Sequence, residues 1–153
     1  MKPLAILVLA AIGTSGCAAI TSPDGEQERL DFHRDLFDAK VGASYKIDYG
    51  RNCFCPETVT GTVVITVKND VIIAVTKKSD SSAIPADKWA EYGYLTVDQL
   101  FSTIEAALDD DVDELRVTYD ETQGFPREVY IDPSQGVADD EGGYALASAV
   151  VLK

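Results

Sequence analysis

Apolar residues recur along this chain at two periods, and the switches between them mark out two helices and six strands. From Asp24 to Lys40 a helical stripe runs through Leu30, His33, Leu36 and Phe37 toward Val41, with Gly42 as its stop. Three short segments then alternate: Tyr45, Ile47 and Tyr49; Val63, Ile65 and Val67; Val71, Ile73 and Val75. Asn69 and Asp70 tolerate positive φ, so Lys68 to Asp70 reads as a tight hairpin. A polar connection follows, in which Pro85 opens one helical turn toward Trp89. The second helix announces its own start. Thr96 with Gln99 three residues on makes a capping box, and Val97, Leu100, Phe101, Ile104 and Leu108 keep helical spacing. The acids from Asp109 onward oppose the helix dipole and end it near Leu108. Three further strands alternate at Leu115, Val117 and Tyr119, at Val129 and Ile131, and at Tyr144, Leu146 and Val150. The order α-βββ-α-βββ predicts an α+β fold, an antiparallel sheet with helices packed on one face. Tyr49 and Tyr119 each stand seven residues before a proline, Pro56 and Pro126, an echo that suggests a duplicated α-βββ unit.

Ahead of the first stripe the pattern is of another kind. Lys2, an apolar run from Pro3 to Ile12 and small residues up to Cys17 have the layout of a secretory signal. The run falls short of the roughly 20 residues that span a bilayer core. The stretch Thr14 to Cys17 resembles the lipobox of bacterial lipoproteins, although Thr14 stands where an aliphatic residue is commoner. That resemblance implies cleavage after residue 16, lipidation of Cys17 by diacylglycerol with a further acyl chain such as palmitate, and stable anchoring by several chains. The expected organisation is a signal peptide over 1–16, a lipidated terminus and tether over 17–25, and a single domain over 26–153. Ala18, where Asp would favour inner-membrane retention, points to the outer membrane of the cell envelope, with the domain in the periplasm or outside.

Charge then narrows the partners. Without residues 1–16 the chain keeps 137 residues, 12 basic and 26 acidic, a net charge of −14. Such a surface repels phosphate backbones, so nucleic acid is excluded as a partner. Membrane association would come through the anchor at Cys17, and any other partner is an unidentified envelope protein.

Candidate chemistry is sparse. His33 is the only histidine, on an amphipathic helix, where a packing role is commoner than a catalytic one. Nucleophilic catalysis needs an oriented base, and no constellation supplies one, so no catalytic residue, metal ligand set or cofactor is assigned. Acids between Asp132 and Glu141 gather oxygens around Gly136, but without the alternating spacing of a calcium loop. Cys53 and Cys55 are the remaining thiols. In an oxidising compartment an even pair is free to form a disulfide. On a regular strand their Cα atoms would lie about 6.5 Å apart, near the upper limit for a bridge, so the backbone at Phe54 must bend; Pro56 marks a strand end there. A structural disulfide is the expectation, with redox-active thiols or a soft-metal site such as Cu(I) as alternatives.

As a set, Cys53 to Pro56 (CFCP), Leu95 to Leu108 (LTVDQLFSTIEAAL), Val117 to Asp132 (VTYDETQGFPREVYID) and Ala138 to Leu146 (ADDEGGYAL) resemble a domain-of-unknown-function family of bacterial lipoproteins. Its pattern is C-x-C-P, T-V-x-x-L-F, Y-D, G-[YF]-P, I-x-D and D-D-E. The departure is Lys68 to Asp70, where the family pattern has a glycine-containing turn. The resemblance implies an exported, lipid-anchored domain, and it carries no activity to transfer. The expected role is a non-enzymatic binding or structural module, with a thiol-redox or soft-metal function of Cys53 and Cys55 as the alternative.

Overall fold

A computed structural model of the chain describes residues 23–53, 61–137 and 141–152. The leader, Cys17, Cys55, Pro56, Asp139 and Asp140 lie outside the described residues. Helix α1 spans Pro23–Lys40 and helix α2 Val97–Asp109; the strands are β1 (Tyr45–Asn52), β2 (Val63–Lys68), β3 (Val71–Lys77), β4 (Glu114–Tyr119), β5 (Pro126–Asp132) and β6 (Gly142–Val151). The expected α+β order is the observed one. Helix α1 opens at Pro23 instead of Asp24, since the fixed φ of proline suits the first helical position.

The six strands form one antiparallel sheet in the order β3-β2-β1-β6-β5-β4. The α-βββ order repeats, but the halves enter the sheet differently. The first half places its first strand at the centre and the second half its last, so β1 meets β6 there while β4 lies at an edge. Tyr45, Ile47, Tyr49, Ile65, Val67, Val75, Val129 and Leu146 are buried on one side, under Leu30, Phe37, Leu100, Phe101 and Ile104 from the helices. Phe37 meets Tyr45 edge-on at 5.2 Å and Phe101 at 6.2 Å, which puts both helices on that face.

The ends of the helices are closed from the sequence outward. The Gly42 N–H reaches the Phe37 carbonyl with φ at 69°, ending α1. Thr96 and Gln99 form the reciprocal capping box of α2, and the next orphan donor, the Val97 N–H, is accepted by the Tyr45 hydroxyl at 2.8 Å. Asn69 and Asp70 take φ of 50° and 62°, the paired positive values of a type I′ hairpin.

Three expected inward positions are corrected. Val150 is 58% exposed, because β6 carries an extra residue opposite Ile47, with Ser148 at φ 58°, and the phase reverses beyond it. Ile73 is the extra residue of a like irregularity in β3, and both it and Val71 are exposed. A one-residue insertion exchanges the faces of every side chain that follows, and alternation along one strand carries no sign of it.

Candidate binding face

Among the described residues nothing covers the side of the sheet away from the helices. Its floor is thin because β6 presents Gly143, Ala145 and Ala147 there, opposite Asn52, Gly50 and Asp48 of β1. Taller side chains flank them. A cleft of ≈380 Å³ is lined by Asn52, Arg116, Thr118, Glu128, Tyr130, Gly143 and Ala145. A second hollow of ≈200 Å³, lined by Asp48, Thr62, Lys78, Ala145 and Ala147, continues it, and the two share Ala145. Arg116 lies 4.2 Å over the Tyr130 ring and donates to Glu114 Oε1, a cation–π wall held by an ion pair. Lys78 Nζ donates to Asp48 Oδ2 at 2.6 Å. The trough therefore offers guanidinium, ammonium, carboxylate, amide and phenol groups in alternation. It can hold polar groups of either charge, and the described residues that line it include neither imidazole nor thiol.

The lone histidine is on the opposite face. His33 is 5% exposed and stacks on Tyr119 with ring centroids 4.2 Å apart and planes 5° from parallel. Its Nδ1 is buried without a hydrogen-bond partner, and burial holds its pKa below the ordinary histidine value. The turn after Tyr119 is built around Asp120, whose Oδ1 accepts from the Thr122 and Gln123 N–H groups and the Thr122 hydroxyl. The Thr122 hydroxyl, ahead of the backbone donors, holds the Asp120 carboxyl below its usual range. This turn brings Gly124 against the backbone of α1, where an added Cβ would stand 2.3 Å from the His33 carbonyl oxygen. His33 is thus a packing residue of a helix clamp.

At the far end of β1 the chain bends at Cys53, which is half-buried and not without a partner. Arg51 anchors that end: its Nη1 donates to the Tyr92 carbonyl at 3.1 Å while its guanidinium lies 5.3 Å over the Tyr144 ring. Tyr49, 1% exposed, donates its hydroxyl to the Gly93 carbonyl, and burial raises its pKa well above that of a free phenol. The strand end expected near the C-x-C segment is present.

In the acidic segment Asp132 accepts from the Ser134 N–H and Asp113 from the Gln135 N–H. These carboxylates cap the turn, and among the described residues no three His, Cys, Asp or Glu side chains gather as a metal site would need. Nor is any helix among them long and apolar enough to cross a membrane. Sequence reasoning missed the Arg116–Tyr130 wall and the thin floor. The signal available was the alternation Gly143-x-Ala145-x-Ala147 in a strand otherwise rich in larger apolar residues.

Fold and face together define, among the described residues, a one-sided α+β module: a six-stranded antiparallel sheet closed by helices on one side and bare on the other. The chain belongs to DUF6174, a family of unknown function, whose model matches residues 29–151. No curated protein and no solved structure matches the chain.

Proposed function

We propose that this protein is an exported, lipid-anchored component of the bacterial cell envelope that works as a non-enzymatic binding module through its uncovered sheet face. The observation that carries the binding role is the asymmetry of the sheet. One face is consumed by core packing, and the other presents a trough whose polar groups converge over a glycine and alanine floor. The anchor rests on the leader and on Cys17, and the outer membrane follows from Ala18. Cys53 and Cys55 form a small disulfide that staples the chain where β1 ends, consistent with an envelope location and with the bend at Cys53.

Palmitate labelling in a host that processes lipoproteins tests the anchor: the wild-type chain takes up label and the Cys17→Ala chain does not. Equal labelling of both sinks the anchoring. On the same material, alkylation followed by mass spectrometry is expected to modify Cys53 and Cys55 only after reduction.

A further inference from the structure

The uncovered face differs from the rest of the surface in apolar content and in charge. Of the six large apolar side chains exposed among the described residues, Val71 and Val150 lie on this face at one end of the sheet, where β3 begins and β6 ends, with Ile73 at the irregularity beside Val71. The register puts Lys46 opposite Val150 and Lys68 opposite Val71. Both lysines are exposed, and neither closes an ion pair among the described residues. Across the face Lys46, Lys68, Lys78 and Arg116 stand beside Asp48, Glu114, Glu128 and Asp132, a balance of charge, whereas α1 and α2 carry nine acidic residues against Arg29, Arg34 and Lys40. The molecule is therefore polarised, with acid on the helix layer and mixed charge with apolar tips on the bare sheet.

We propose that the uncovered face lies on the headgroup layer of the bilayer that holds the Cys17 anchor, with Val71 and Val150 entering it and Lys46 and Lys68 on its phosphates. This rests on the anchoring proposed above. A layer bearing phosphates and ammonium groups matches a face bearing lysine and arginine beside aspartate and glutamate, and the trough between Arg116 and Glu128 opens onto it. The acidic helices are held back by the thickness of the sheet, about 10 Å, beyond a Debye length of about 8 Å at physiological ionic strength. The tether reaches: six residue steps from Cys17 to Pro23 span at most about 20 Å, enough to pass from the bilayer surface to a helix layer stacked on the sheet.

The test is lysine acylation, mapped by mass spectrometry, on the full lipidated chain in phosphatidylethanolamine–phosphatidylglycerol vesicles and on the Cys17→Ala chain free in solution. Lys46 and Lys68 are expected to react several-fold more slowly on vesicles, with Lys40 and Lys88 unchanged. Equal rates at all four lysines in a chain that floats with the vesicles overturn the docking and leave the anchor standing. A chain that does not float overturns both. Protection of Lys46 and Lys68 already present in the free chain means that protein, not lipid, covers this end of the face, and also overturns the docking.

Discussion

One methyl group, added at two glycines, separates the faces of this sheet. At Gly124 an added Cβ would meet the α1 backbone at 2.3 Å and 2.5 Å, in a residue whose φ of 84° already disfavours a side chain. At Gly50, in β1 on the uncovered face, the nearest atom is the Ala145 carbonyl oxygen at 3.7 Å, an ordinary contact. The covered face is interlocked by backbone approach and shared hydrogen bonds, so its residues are bound to the fold. The uncovered face contributes little to holding the sheet together, and its side chains are free to be chosen for what they touch.

The largest expected effect breaks the covered side. Gly124→Ala combines left-handed backbone strain with a clash against a helix that cannot shift alone, and should cost about 3–5 kcal/mol. Denaturant unfolding measures it, and a loss below about 1 kcal/mol would mean that the turn moves off α1 freely.

Next comes Tyr45→Phe, which leaves the ring in place and removes only the acceptor of the Val97 N–H. With that buried donor unsatisfied, the loss should be about 1–3 kcal/mol in the same assay. Burial also pushes the Tyr45 phenol up to about 12, so its proton stays in place throughout the neutral range.

These two contacts also mark the limit of what the chain discloses unaided. The Thr96 and Gln99 box, the Asn69–Asp70 turn and most strand phases were legible because each is encoded within a few neighbouring residues. Tyr45 on Val97 and Gly124 on α1 were not, since they join residues far apart in the chain and depend on how the elements stack. The pairing of β1 with β6 was hidden for the same reason, and with it the trough, whose walls come from β1, β4 and β5. Alternation put Val71, Ile73 and Val150 inward because it carries no sign of the one-residue irregularities that reset it. Those same irregularities put apolar side chains on the end of the bare sheet, so the residues that alternation misassigned are central to the docking proposed for it.

A smaller effect follows from pH. His33 stays neutral in the folded chain to lower pH than in the unfolded one, because burial holds its pKa down. Above about pH 6.5, the ordinary histidine value, neither state is protonated and its contribution is complete. As pH falls below that value the unfolded chain binds the proton first, and stability is lost progressively toward the lower folded pKa. His33→Phe keeps a ring on Tyr119 and removes the titration. Unfolding free energies at pH 7 and pH 5 should therefore differ less for the variant than for the wild type; an equal difference would assign the slope to the carboxylates alone.

The smallest effect has the opposite sign, and it tests the other half of the comparison. Gly50→Ala adds its methyl where φ is ordinary and the nearest neighbours, the Ala145 carbonyl oxygen and Cβ at 3.7 Å and 3.9 Å, are at van der Waals distance. The substitution narrows the unfolded ensemble without straining the native one, so it should stabilise the protein by about 0.4–1 kcal/mol. A gain in that range, beside a loss of several kcal/mol at Gly124, would establish that the fold does not depend on leaving the bare face thin. Destabilisation at Gly50 would instead mean that β1 and β6 are packed as tightly on their outer side as on their inner one, and the face would have to be regarded as part of the core's architecture.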